Sequence, residues 1–161
     1  MGGLMNPFTL VLTLLFLSGL VSSAQAAETE RPTVARYGKV YRGGEGVTIS
    51  VLGIGKTDDE EYLLQYSGIN SDWNWKIFKA KKVPAGTGFD YVIQFDGRDY
   101  ATMIERGSSG HPRSQVFVPK VADGVHVGYD EGLSQRIIPE HYLTDYLEQE
   151  SGNPVKGAAW R

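Results

Sequence analysis

The chain has 161 residues, 19 acidic side chains against 16 basic ones for a formal net charge of −3, 41% hydrophobic residues and no cysteine. A mildly acidic chain has no basic footprint for nucleic acid or anionic lipid, so no nucleic-acid partner is expected. Without cysteine there are no disulfides, so the fold must rest on hydrophobic burial, which suits a bacterial periplasm better than an animal secreted domain.

Residues 1–26 read as a cleavable signal peptide. An apolar run from Phe8 to Val21 is followed by Ser22-Ser23-Ala24-Gln25-Ala26, whose small residues suit a signal peptidase. The run is short for a membrane span, and its N-terminal flank lacks Lys and Arg. Cleaved export to the periplasm or medium is the expectation, with no stable membrane span afterwards. Residues 27–36 (AETERPTVAR) are polar, contain Pro32 and are expected to fray as a linker.

A single β-rich domain is expected over residues 37–152. Val47–Ile54 is rich in β-branched residues and follows a glycine turn, and Tyr62–Tyr66 forms the next strand. Ser67–Asp72 is a loop by composition. Trp73–Val83 alternates as a strand, which would place Trp73, Trp75 and Ile77 on one face and Asn74, Lys76, Phe78 and Ala80 on the other, before Pro84 breaks it. Phe89–Phe95 and Tyr100–Ile104 flank Asp96-Gly97, the dipeptide suited to a type I′ turn. Gly107–Ser114 is a second loop. Gln115–Val121 and Val125–Tyr129 follow as strands, with Asp123-Gly124 as a candidate tight turn.

Pro139 at a first helical position, Glu140 beside it and Gly152 with Pro154 beyond predict one helix over about 139–151. Ile138, Tyr142 and Tyr146 stand four apart, giving it an apolar stripe. Residues 153–161 read as a loose tail in which Trp160 could dock. About seven short strands and one C-terminal helix predict a mostly β fold, α+β by a narrow margin, built as an antiparallel sandwich or small barrel.

The chemistry-bearing residues form no trusted motif. The three histidines, His111, His126 and His141, are too far apart in sequence for a local metal clip, and Asp58-Asp59-Glu60-Glu61 lacks the spacing of a calcium loop. No metal, cofactor or catalytic set is therefore assigned. The polar loops are the first candidates for contact with a protein partner in the cell envelope, in the manner of an inhibitor or immunity protein, through Ser67, Asn70, Asp72, Ser109, His111 and Arg113. The alternatives are a glycan or small-ligand module stacking on Trp73 and Trp75, and a hydrolase built around His111.

Overall fold

Strands that alternate apolar and polar residues can bury one face by curling into a closed sheet, which also removes every unpaired edge. This chain takes that solution. The computed structural model describes residues 31–107, 113–119, 123–155, 157, 159 and 160. The signal peptide, residues 27–30 of the linker, and Ser109 and His111 lie outside them.

Eight antiparallel strands follow one another around the barrel: β1 (Lys39–Gly43), β2 (Thr48–Ile54), β3 (Glu61–Ser67), β4 (Ile77–Ala85), β5 (Gly88–Phe95), β6 (Arg98–Arg106), β7 (Arg113–Val116) and β8 (Val125–Tyr129). Each pairs with the next, and β8 returns to β1 with Tyr129 opposite Tyr41. That last pairing decides for a barrel against a sandwich. It also supplies the strand that the pattern of seven omits. β1 reads KVYRG, with only Val40 and Tyr41 apolar, too brief an alternation to stand out in sequence.

Eight strands enclose a lumen that side chains alone can fill. Tyr41, Ile49, Val51, Leu64, Tyr66, Trp73, Ala80, Tyr91, Ile93, Met103, Val116 and Val127 fill it here. A second core lies outside the barrel wall. There Val40, Leu52, Ile54, Leu63 and Ile77 pack against α1 (Glu131–Ser134) and α2 (Pro139–Glu150) through Leu133, Ile137, Tyr142 and Leu143. β2 is thus covered on both faces, which explains its near-continuous apolar run. β5 is covered only from inside and alternates cleanly.

Helix α2 begins at Pro139 as its spacing predicts, with Ile138 as N-cap residue. Its buried Tyr142 hydroxyl accepts from Ser50 Oγ at 3.0 Å, tying it to β2. At its far end Gln149 bonds both the amide and the carbonyl of Ile77, at 2.8 and 2.7 Å, as a neighbouring strand would. Helix α1 is a single turn that the sequence pattern does not announce, capped by the Asp130 carboxylate on the Leu133 amide.

The Asp96-Gly97 hairpin has the expected form, with φ of 50° and 72° at its two residues. Elsewhere the boundaries move. Residues 73–76 are not strand: β4 starts at Ile77. It also continues through Pro84 to Ala85, because beyond Lys82 its only remaining neighbour is β5 and a proline there leaves no ladder bond unmade. β7 ends at Val116, so residues 117–124 form the connection to β8 and Asp123-Gly124 is not a two-residue turn.

The two flanking segments are held to the domain. Ala35 N donates to Gly53 O and Gly55 N to Thr33 O, which lays residues 33–35 along β2, while Arg31 reaches Glu140 and Thr144 on α2. In the tail, Val155, Ala159 and Trp160 pack on the outer core. Buried Gln65 donates to Gly157 O at 2.9 Å and accepts from Ala159 N at 2.8 Å.

Candidate functional site

An up-and-down barrel sends alternate connections to opposite ends. The β1–β2, β3–β4, β5–β6 and β7–β8 connections share one end. The β2–β3, β4–β5 and β6–β7 connections share the other, with the segment entering β1 and the one leaving β8. The loops around Ser67–Asp72 and Gly107–Arg113, both expected to touch a partner, therefore emerge at opposite ends, and a single flat interface does not reach both.

The first end is plugged. The turn after β3 folds Trp73 back into the lumen, where it is 5% exposed. Its ring centroid lies 4.5 Å from Phe78, 5.1 Å from Phe95, 5.5 Å from Tyr66 and 5.9 Å from Tyr100. Gly68 makes this fold-back possible: its φ is +70°, and a Cβ there would collide with the Gly46 carbonyl oxygen. Ser67 is the last residue of β3, buried and hydrogen-bonded to Thr48, not an exposed loop residue. Asn70 and Asp72 are exposed and line a depression of about 390 Å³ outside the plug, beside Lys76. Trp75 is 37% exposed with a left-handed backbone (φ 69°). Trp73 faces the lumen and Trp75 lies beside Gln149, Pro154 and Val155 outside the wall, so the two indoles form no common stacking platform.

The inward side chains at the other end, the mouth, are different. Glu105 lies near the end of β6, with its carboxylate accepting from the Tyr41 hydroxyl at 2.8 Å and from the Tyr91 hydroxyl at 3.4 Å. Burial, and after it the charge of Glu105, pushes both phenols far above their ordinary range, so both remain protonated donors. Tyr62, half-buried beside them, is raised as well, first by burial and then by Glu60. Lys82 places its ammonium 4.1 Å from the Phe89 ring centroid, 5.8 Å from Tyr62 and 6.0 Å from Tyr91. Behind this rim Arg106 pairs with Asp90 at 2.6 Å and donates to the Phe89 carbonyl at 3.0 Å, fixing β5 against β6.

Three large aromatics stand exposed around the mouth: Tyr37 at 74%, Tyr129 at 57% and Phe89 at 41%. Arg113, the one sequence-selected partner residue described at this end, is exposed at the start of β7. Next to the mouth, under residues 34–37, is a pocket of about 290 Å³ lined by Tyr37, Lys39, Val51, Tyr62, Lys82 and Tyr91 among others. Among the described residues, no group of three His, Asp or Glu side chains is placed to hold a metal ion, and His126 and His141 are both exposed.

Sequence reasoning passed over Lys82 and Glu105 for different reasons. Lys82 continues the inward row of Phe78 and Ala80, so the alternation itself carries the signal. Glu105 is hidden by a β-bulge. The pairing of β5 with β6 passes from Ala101 opposite Val92 to Met103 opposite Tyr91, and Thr102 is the extra residue. Its hydroxyl bonds Tyr66 inside the barrel and donates to Phe117 O. Past the bulge the parity inverts, turning Ile104 outward and Glu105 inward. Compared with known protein families, curated proteins and solved structures, the chain finds no match, so the mouth is judged on its own geometry.

Proposed function

We propose that this is an exported, non-enzymatic binding protein of the bacterial envelope, and that it engages a protein partner through the mouth end of its barrel. The opening segment of the sequence supports export, and the absence of cysteine suits a bacterial envelope better than an animal secreted domain. The observation that carries the binding face is the grouping of Tyr37, Phe89 and Tyr129, all exposed, around one end of a barrel whose other end is packed shut. Exposed aromatics around a polar centre are the composition of binding hot spots.

Binding is favoured over catalysis by the state of the mouth's polar groups. Glu105 is engaged by two phenols, and burial keeps those phenols protonated, so neither is a nucleophile or base near neutral pH. The distribution of polarity argues against a membrane-embedded barrel, whose lipid face must be apolar. Here apolar rings fill the lumen, while Lys79, Lys81, Gln94 and Asp99 line the outer wall of β4 to β6.

The test is a capture experiment on envelope extracts with three purified proteins. They are the parent, a rim variant (Tyr37→Ser, Phe89→Ser, Tyr129→Ser) and an opposite-end variant (Asn70→Ala, Asp72→Ala). A stoichiometric partner held by the parent and the opposite-end variant but lost by the rim variant is the expected result. A partner lost only from the Asn70/Asp72 variant moves the binding face to the plugged end, and columns empty for all three remove the protein-partner reading.

A further inference from the structure

An ammonium drawn into a half-buried site needs a counter-charge or a π-face. Lys82 has the π-faces of Phe89, Tyr62 and Tyr91, but among the described residues it is in no ion pair. The carboxylates around it are turned to other donors. Glu61 is paired with Lys79 at 2.8 Å across the outer wall. Glu105 accepts from Tyr41 and Tyr91, Glu60 from the Tyr62 hydroxyl at 3.4 Å, and Asp59 from the Lys56 amide at 3.1 Å. Lys82 therefore brings an unneutralised positive charge to the aromatic wall of the 290 Å³ pocket, which Lys39 and Lys56 also line.

We propose that this pocket takes a small organic anion, its carboxylate-like head held by Lys82 with Lys39 and Lys56, and its apolar body laid on Tyr62, Tyr91 and Val51. This rests on the reading of the mouth as the binding face and names the chemistry that the face selects. Size permits it: a cavity of ~150 Å³ holds benzene, so this pocket has room for a ring and a carboxylate. Charge selects it too. Of the two glutamates lining the pocket, Glu61 is already neutralised by Lys79, so the three lysines dominate and a cationic head is disfavoured. The aromatic wall supplies affinity that bulk anions such as chloride cannot use, and the ammonium supplies the orientation.

The probes are benzoate, neutral benzamide and cationic benzylamine, titrated against the purified protein while NMR shifts of Tyr62, Tyr91 and Lys82 are followed. Benzoate should saturate with its largest shifts at these three residues, benzamide should bind about tenfold more weakly, a difference of ~1.4 kcal/mol, and benzylamine not measurably. Lys82→Gln should abolish the preference for benzoate over benzamide, Lys82→Arg should keep it, and Lys76→Gln, at the plugged end, should leave it unchanged. Equal binding of benzoate and benzamide, no saturation with benzoate, or an undiminished preference in Lys82→Gln overturns the proposal. The charge comparison on the parent protein stands even if a variant folds poorly.

The same head group could come from a free acid or from the carboxyl terminus of a partner chain. A pentapeptide ending in phenylalanine, as acid and as amide, separates these: an acid that outbinds both benzoate and its own amide identifies a chain terminus, and otherwise the source is a free acid. If benzoate fails while the rim variant still loses its captured partner, the anion site is wrong and the binding face stands. If benzoate saturates while the rim variant keeps its partner, the anion site stands and the binding face is wrong.

Discussion

The two ends of the barrel are made from the same eight strands and are both rich in aromatic rings, yet they have opposite characters. At the plugged end each ring meets other rings: Trp73 has four aromatic neighbours with centroids within 4.5 to 5.9 Å, and Phe95 and Tyr100 touch each other as well. At the mouth rings also meet rings, Tyr62 with Tyr91 at 5.3 Å and Tyr41 with Tyr129 at 6.0 Å, but there they meet charges too, with Tyr41 and Tyr91 on the Glu105 carboxylate and Phe89 under the Lys82 ammonium. Ring on ring closes a core. Ring on charge holds a polar group where water is scarce, which costs stability unless something uses it.

The strongest attack on this contrast is Trp73→Ala. Removing a buried indole from the plug should cost about 3–5 kcal/mol of unfolding free energy, read as a lower urea midpoint. A loss under about 1 kcal/mol would mean that the plug is not part of the core.

Alkaline titration ranks second. Tyr66 and Tyr142 are raised chiefly by burial, and Tyr41 and Tyr91 by burial and then by Glu105. In each case the fold favours the neutral phenol. The stability this contributes is whole below the unfolded-chain value of about 10, and it is lost as pH rises from there toward the folded value. Unfolding midpoints should therefore hold steady up to about pH 10 and fall above it. A midpoint unchanged well past that pH would contradict the burial of these hydroxyls.

Glu105→Gln isolates the mouth. It exchanges a charge-assisted acceptor for a neutral one, so a loss of about 1 kcal/mol is expected. The Tyr41 and Tyr91 hydroxyls, followed at these two residues by NMR, should then ionise at a lower pH than in the parent, because the second cause of their shift is gone while burial remains. An unchanged ionisation curve would place Glu105 outside the mouth.

The smallest effect on stability belongs to the rim. Tyr37→Ser and Tyr129→Ser should each stay within about 0.5 kcal/mol of the parent, because these side chains stand mostly in solvent. A larger loss in thermal or urea unfolding would show them to be structural, and would remove the main support for the mouth as a binding face.

Much of the wall was legible in the residues. The strand at Val125–Tyr129, the Asp96-Gly97 hairpin and the helix opened by Pro139 all follow from local periodicity and turn chemistry, and the structure has them in place. Residues 73–76 misled because Trp-Asn-Trp has the alternation of a strand, while Gly68 allows the chain to turn back and bury one indole without the other. The polar loops drew attention as sites because their composition is that of contact loops. Composition does not say which end of a barrel a loop leaves from.

The sequence by itself determined the β periodicity, the principal turns and the final helix, because each depends on residues within a few positions of one another. Three features waited for the tertiary structure. β1 becomes a strand only because β8 and β2 offer it partners on both sides. The run of β2 is apolar on both faces because a helix from the far end of the chain covers its outer side. Glu105 joins Tyr41 and Tyr91 because one extra residue at Thr102 inverts the facing of the strand's end, and they meet across sequence separations of 64 and 14 residues. Closure, coverage and bulge-set parity are properties of paired strands, and no single segment carries them.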